Sequence, residues 1–259
     1  MPMTAMSLIG PMRRACLAAL WAVESLAGCL PTDASLAPLP SGGIHVLFIG
    51  NSLTYVNDLP GTLSALALTT GDTIRAASVA LPDYALVDHL QHGGAMQAIA
   101  SGSWKYVVLQ QGPSSLQVNR DSLIEMSRVF DVAIRRNGAR TALFSVWPQT
   151  VNATTFPRAI ESYRLAAVAV GGVYLPVGAA WQTALTEDAT LPLYSGDGLH
   201  PSELGTYLAA LVMYERFTGK DARLLTPRAV VAGRVLTDTP ESVVRRLQEI
   251  AHGTSMLTP

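Results

Sequence analysis

The stretch Ile44–Leu53 reads Ile-His-Val-Leu-Phe-Ile-Gly-Asn-Ser-Leu, an apolar run closed by a short polar turn. A run of this length that ends at a glycine predicts a buried strand followed by a turn. The next segment, Pro60–Leu68, is a helical candidate, so a strand–turn–helix unit begins the domain. The turn puts Ser52 at the mouth of the first predicted strand.

The same alternation of short apolar runs and longer amphipathic segments continues along the chain. The other predicted strands are Thr73–Val79, Tyr106–Gln110, Thr141–Val146 and Val173–Val177. The other predicted helices are Tyr84–Gln91, Asp121–Arg136, Phe156–Val170, Ala179–Leu185, Glu203–Phe217 and a last one between Thr239 and Gly253. Such alternation favours right-handed crossovers and a parallel sheet covered on both faces. The expected fold is α/β, a flavodoxin-like three-layer sandwich with a five-stranded parallel sheet.

The composition is typical of one domain with a large core. Hydrophobic residues make up 49% of the chain and charged residues 14%, against roughly 25% charged residues in an average soluble domain. The net charge is −1. The chain therefore has no general basic field, and nucleic acid is not an expected partner.

The first 28 residues have the features of a secretory signal. Arg13 and Arg14 precede the apolar run Ala15–Val23, which is too short to span a bilayer. The segment ends Leu26-Ala27-Gly28-Cys29, which resembles the lipobox of bacterial lipoproteins. This resemblance implies cleavage before Cys29 and acylation of its thiol. The alternative is an ordinary export signal in which Cys29 is incidental.

Three segments are expected: a lipoprotein-type signal peptide over 1–28, a proline- and glycine-rich tether over 29–43, and one domain over 44–259. Cys16 and Cys29 are the two cysteines of the chain. Cleavage removes the first and lipidation occupies the second, so no disulfide is expected. The mature protein is expected to be exported to the bacterial cell envelope and held at the membrane by its lipid anchor.

Ser52, Asp197 and His200 together supply a nucleophile, an orienting acid and a base. A serine hydroxyl needs a base to take its proton, and imidazole is the usual base near neutral pH. His200 has Asp197 three residues earlier, in a polar loop just ahead of a predicted helix. In a doubly wound sheet, sites lie beyond the carboxyl ends of the strands. Both motifs are expected at that rim.

The pair of motifs resembles the SGNH (GDSL-type) hydrolase family over roughly residues 44–217. In that family the first block is Gly-Asp-Ser-Leu after strand one, and the last is Asp-x-x-His-Pro before the final helix. The resemblance implies that Ser52 is the nucleophile, Asp197 the orienting acid and His200 the base. Asn51 replaces the usual aspartate of the first block, and Thr54 stands where the α/β-hydrolase elbow requires glycine.

The family blocks that form the oxyanion hole fit less closely. A glycine after strand two normally donates its backbone N–H, and Asp83 occupies that segment here. An asparagine after strand three normally donates its side-chain amide, and Gln110-Gln111 takes that place. The resemblance implies an oxyanion hole formed by the Ser52 N–H and Gln111, with Gln110 and Ser114 as fallback donors and the Asp83 N–H as a further one.

Several other residues have both a functional and a structural interpretation. His89 and His92 are spaced for a metal pair, but with no third ligand nearby a solvated helix face is the preferred interpretation. Trp147, Trp181 and Tyr194 are aromatics of the core or of a substrate pocket, with the core preferred. No metal and no cofactor are expected.

The resemblance implies a serine esterase that works through an acyl-enzyme. The expected substrate is a small-molecule, polysaccharide or lipid-like ester, with a short acyl group on a carbohydrate or cell-envelope polymer preferred. Two alternatives remain: an envelope binding module with impaired catalysis, and an acyltransferase that uses the same triad.

Overall fold

The computed structural model describes residues 42–257. The predicted signal peptide, Cys29 and the tether up to residue 41 lie outside the described residues. Within residues 42–257, no helix combines the length and the apolar character that crossing a bilayer requires.

A five-stranded parallel sheet forms the centre of the domain, with strand order β2-β1-β3-β4-β5. The strands are β1 Ile44–Gly50, β2 Ile74–Ala80, β3 Tyr106–Leu109, β4 Arg140–Phe144 and β5 Val173–Leu175. Val46, Leu47, Phe48 and Ile49 of β1 are all fully buried, because both faces of the sheet are covered. The predicted α/β fold, the five parallel strands and the flavodoxin-like order are confirmed.

Nine α-helices lie within the described range. They are α1 Ser52–Tyr55, α2 Leu59–Leu68, α3 Leu86–His92, α4 Gly94–Ser101, α5 Gln117–Arg136, α6 Phe156–Val170, α7 Val177–Glu187, α8 Glu203–Thr218 and α9 Glu241–Met256. Helices α2, α8 and α9 form a connected layer, and α4, α5 and α6 form another. Right-handed crossovers explain this division, since the chain moves from β1 to β2 in one direction and from β2 to β5 in the other.

Helix α8 is almost entirely buried, from Leu204 to Glu215. A helix that is apolar on all sides is stable only inside a protein. It begins directly after the loop that contains Asp197 and His200, so the packing of α8 determines where that loop ends.

Four features differ from the sequence prediction. Helices α1 and α4 were not predicted, and neither was the hairpin of β6 Val230–Val231 and β7 Arg234–Val235. Helix α9 continues through Gly253 to Met256, although a glycine there predicts a helix end. Tertiary packing against α7 and α8 supports this last turn and outweighs the intrinsic preference of glycine.

Candidate active site

Ser52 is the first residue of α1, immediately beyond β1. Asn51 caps this helix, and its Oδ1 accepts a hydrogen bond from the Leu53 N–H at 3.1 Å. The side chain of Ser52 is half-buried. Its hydroxyl and its backbone N–H have no hydrogen-bond partner within residues 42–257. A free hydroxyl next to a free N–H is the local geometry that an attacking serine requires.

A buried network holds the Ser52 turn against the end of β3. Gln110 Oε1 accepts from the Asn51 N–H at 2.9 Å and from the Thr54 hydroxyl at 2.8 Å. Gln110 Nε2 donates to Asn51 Oδ1 at 2.9 Å and to the Gln111 carbonyl at 2.7 Å. All four hydrogen-bonding positions of this carboxamide are therefore occupied, and its orientation is unambiguous because Oε1 faces two donors.

The network explains two residues of the first motif. A Cβ atom on Gly50 would clash with Gln110 Oε1 and Thr54 Oγ1, so glycine is required here by close approach. Asn51 Nδ2 donates to the Tyr84 carbonyl at 3.0 Å. An aspartate at position 51 has no hydrogen to donate to that carbonyl, which is why asparagine suits this chain.

Asp197 and His200 are in direct contact, as their spacing predicts. His200 Nδ1 lies 2.5 Å from Asp197 Oδ2. Asp197 Oδ1 accepts from the Leu199 and His200 N–H groups, each at 2.9 Å, and from the Ser195 hydroxyl at 2.8 Å. Three groups of the loop therefore donate to the Asp197 carboxylate. The ring of His200 is held at Nδ1, and its Nε2 is left available.

The carboxyl of Asp197 is strongly stabilised in its ionised form. The hydrogen bond from His200 is the largest cause, followed by those from the Leu199 and His200 N–H groups and the Ser195 hydroxyl, and together they hold its pKa well below the ordinary range. A carboxylate that stays ionised can orient an imidazole and stabilise the imidazolium that forms when the ring accepts a proton.

Asn57 connects the nucleophile segment to the histidine loop. Its Nδ2 donates to the Pro201 carbonyl at 2.9 Å and to Thr206 Oγ1 at 3.1 Å. Asn57 has a φ of 56°, a left-handed conformation that asparagine tolerates better than most residues. Because Asn57 follows Ser52 by five residues and Pro201 follows His200 directly, this contact brings the two predicted motifs to one rim.

No hydrogen bond joins Ser52 to His200 among the described residues. Catalytic hydrogen bonds are often long in the absence of substrate and shorten in the productive complex. Asp197 is therefore joined to His200 directly. The backbone next to His200 is joined to the Ser52 segment through the side chain of Asn57.

The predicted oxyanion donors fall into two groups. Both amide hydrogens of Gln110 are engaged, and Gln111 Nε2 donates to Ser114 Oγ at 2.9 Å and to the Asn119 carbonyl at 3.4 Å. The Ser114 hydroxyl in turn donates to the Gly112 carbonyl at 3.1 Å.

The backbone donors are free. Within residues 42–257 the N–H groups of Ser52 and Asp83 have no acceptor. Asp83 is exposed and has a φ of 60°, in the turn that follows β2. Of the donors that the resemblance implies, these two N–H groups are available without breaking a side-chain contact.

The aromatic residues near the loop are core residues, as preferred from the sequence. Trp147 and Trp181 are fully buried, and their rings stack with centroids 3.5 Å apart at an angle of 3°. Tyr194 meets Trp181 edge-on at 4.9 Å, and its hydroxyl donates to the Pro148 carbonyl at 2.7 Å. These side chains therefore pack beneath the Asp197–His200 loop.

The interpretation of His89 as a residue of a solvated helix face is wrong. His89 is 1% exposed, and its Nε2 donates to the Gly50 carbonyl at 2.7 Å. Burial lowers the pKa of His89, and the bond to the Gly50 carbonyl opposes this shift. The neutral ring thus supports the backbone just before the Ser52 turn. His92 is exposed, with Nε2 3.1 Å from the Tyr84 hydroxyl.

One group of metal-ligand types occurs elsewhere in the described part of the chain. His252 Nδ1 lies 3.1 Å from Glu215 Oε1 and 3.3 Å from Asp221 Oδ1. Glu215 also accepts from the Ala222 N–H at 2.6 Å, and Asp221 pairs with Arg223. These contacts account for the group as a polar link between α8, α9 and the turn between them.

The structure is similar to several solved structures. A candidate SGNH hydrolase from Slackia heliotrinireducens has a TM-score of 0.57 at 26% identity, with 68% of this chain and 100% of that chain covered. A DUF4886 family protein from Bacteroides uniformis has a TM-score of 0.68 at 20% identity, with coverages of 84% and 96%. A mutant acetyl-xylooligosaccharide esterase from Geobacillus has a TM-score of 0.50 at 17% identity, with coverages of 69% and 94%.

No protein-family profile matches the chain, and no curated protein matches its sequence. The two structures below 25% identity support the fold alone.

Proposed function

Since the chain is an ester hydrolase of the SGNH type, we propose that it cleaves its substrate through a triad of Ser52, His200 and Asp197. The observation that carries this proposal is the Asp197–His200 pair, 2.5 Å apart, in a loop bound to the Ser52 segment by Asn57. A hydrolase that used a different nucleophile would have no need for a free serine hydroxyl at this rim.

The proposed reaction proceeds through an acyl-enzyme. Ser52 Oγ attacks the ester carbonyl while His200 Nε2 takes the hydroxyl proton. The C–O bond to the alcohol then breaks, and the proton passes from His200 to the departing alkoxide. Water, deprotonated by the same ring, attacks the acyl carbon. The bond from that carbon to Ser52 Oγ then breaks, the ring returns the proton to Ser52 Oγ, and the acid leaves. Asp197 remains ionised throughout.

The Ser52 and Asp83 N–H groups are the proposed oxyanion donors. Both are free of other acceptors within the described range, and backbone N–H groups already in place cost no reorganisation as charge develops. Gln110 is proposed to act indirectly, because its carboxamide holds Asn51 and Thr54 on either side of the nucleophile. This assignment differs from the expectation that a glutamine amide binds the oxyanion.

A short acyl ester on a carbohydrate or a cell-envelope polymer is the proposed substrate. With p-nitrophenyl esters of increasing acyl length, kcat/KM is expected to fall about tenfold from acetate to decanoate, since a site shaped for a short group excludes the additional methylenes. Steady-state kinetics of the purified domain measure this.

A lipid-like ester is the second candidate, supported by exposed apolar side chains on the segments that follow the strands. They are Tyr55 after β1, Leu81 after β2, Leu116 and Val118 after β3, and Val151 after β4. Each methylene that these side chains removed from water would contribute about 0.8 kcal/mol. In that case kcat/KM would rise with acyl length, and the short-acyl proposal would be abandoned.

We also propose that the protein is a lipoprotein anchored through Cys29. The Cys29→Ser variant is expected to move from the membrane fraction to the aqueous fraction of cells, because a serine at the cleavage site cannot be acylated. The matched control is Cys16→Ser, which changes the other cysteine and should leave the protein with the membranes. Immunoblots of the two fractions provide the measurement, and membrane retention of Cys29→Ser would contradict the proposal.

A further inference from the structure

Trp147 makes one polar contact, and it reaches the residue next to His200. The indole lies three residues beyond β4, fully buried. Its Nε1 donates to the Leu199 carbonyl at 2.9 Å. Breaking the hydrogen bond of a buried N–H is costly. This bond therefore fixes the position of Leu199 relative to the end of β4.

The other side of His200 is held in the same way. The Pro201 carbonyl accepts from Asn57, and the Gly198 carbonyl accepts from the Thr150 N–H at 2.9 Å. The backbone is thus bound before and after His200 by groups from two different strand ends. Asp197 orients the imidazole, but these contacts determine where the backbone that bears the imidazole sits.

Trp181 packs beside Trp147 but makes no hydrogen bond to the histidine loop, so it serves as a comparison. It stacks on Trp147, is equally buried, and contacts the start of α8 at Gly205. Its Nε1, however, has no hydrogen-bond partner within residues 42–257. The two indoles therefore share a stack and differ in their polar contacts, since of the two only Trp147 donates a hydrogen bond to the histidine loop.

We propose that Trp147 is a positioning residue for the base: its indole N–H holds the Leu199 carbonyl and thereby places His200 over Ser52. This inference rests on the proposed function of the triad. Reactions of this kind are sensitive to small displacements, since a misplacement of about 1 Å costs up to about a hundredfold in rate.

The test compares Trp147→Phe with Trp181→Phe, the matched control. Trp147→Phe is expected to lower kcat at least about tenfold with KM within about twofold, because the base is displaced while substrate binding is not. Trp181→Phe removes an N–H that has no acceptor, so its kcat is expected to stay within about twofold of the unaltered enzyme. Equal losses of kcat in both variants would overturn the proposal, since the stack and not the hydrogen bond would then be responsible.

A second variant separates the hydrogen bond from the change in size. A tryptophan isostere with sulfur in place of the indole N–H, introduced at position 147 alone, keeps the ring and its stacking. It is expected to reproduce the kcat loss of Trp147→Phe with the fold intact, because only the hydrogen bond to Leu199 is lost. Unaltered kcat in this variant would overturn the proposal even if Trp147→Phe fails to fold.

One measurement does not depend on turnover. The proton shared by His200 Nδ1 and Asp197 is expected to give a low-field NMR signal that shifts or broadens in the Trp147 variants and stays in place in Trp181→Phe. An unmoved signal in every variant would contradict the positioning role. If Ser52→Ala retains full activity, the proposed triad fails on its own, while this signal still reports on Trp147.

Discussion

Ser52→Ala is expected to lower kcat/KM on p-nitrophenyl acetate by about 10⁴-fold or more while leaving the fold intact. The variant removes the atom that attacks the carbonyl. It removes no hydrogen bond, since the Ser52 hydroxyl has no partner in the described part of the chain, so the free energy of unfolding should change by less than about 0.5 kcal/mol.

Steady-state kinetics and denaturant unfolding test both halves of this expectation. The control is Ser64→Ala, because Ser64 is also half-buried and its hydroxyl donates only to the Pro60 carbonyl in its own helix. An organophosphate that labels serine hydrolases should add its mass to a peptide containing Ser52 in the unaltered protein and not in Ser52→Ala. Equal rates for Ser52→Ala and the unaltered protein would exclude the triad and favour a binding module.

Asp197→Asn is expected to lower kcat by about 10³- to 10⁴-fold. The asparagine oxygen can take the place of Oδ1, which accepts from Ser195, Leu199 and His200. Its NH₂ group then faces His200 Nδ1, where Oδ2 lies now. Two donors cannot share that contact, so the ring adopts the other tautomer and Nε2 no longer accepts the proton of Ser52.

The control for this variant is Asp188→Asn. Asp188 lies in the same connection, accepts two hydrogen bonds from Thr190, and also has a lowered pKa because of them. It should keep full activity, since it does not touch the triad. A loss of less than tenfold in Asp197→Asn would mean that the histidine is oriented by another group.

The pH dependence follows from the direction of the Asp197 shift. Its pKa is lower in the folded protein than in the unfolded chain, so its pairing stabilises the fold above the ordinary pKa of aspartate and this contribution is lost as the pH falls through the folded value. In weakly acidic buffer Asp197 should therefore stay ionised, and its protonation should not limit activity there. A pH profile of kcat measures this.

Much of the fold was predictable because the signals are local. Phe156–Val170 was predicted with the bounds of α6, and the apolar run from Ile44 was predicted as the central strand. Helix α4 was missed because it begins at Gly94 directly after Gly93, where glycine gives little local helix signal, and the helix is held by its contacts with α3 and α5. Periodicity does not report such contacts.

The site was predictable only in part. Ser52, Asp197 and His200 were singled out because each lies in a short motif with a chemical reason for its spacing; the Asp197–His200 contact is confirmed, and the catalytic roles stay a prediction. The choice between Gln110 and Gln111 was not predictable, since adjacent residues at a strand end point in opposite directions. Gln110 proves to face the Ser52 turn, and its amide is used to hold that turn.

The amino-acid sequence by itself determined the parallel sheet, the place of Ser52 beyond the first strand and the pairing of Asp197 with His200. The strand and helix signals and the Asp197–His200 spacing are local in the chain, and the parallel arrangement follows from the alternation of strands and helices. Only the tertiary structure decided which side chains hold the histidine loop. Asn57 and Trp147 reach it from positions 144 and 52 residues away from their acceptors, and hydrogen bonds across such distances form only once the core has packed.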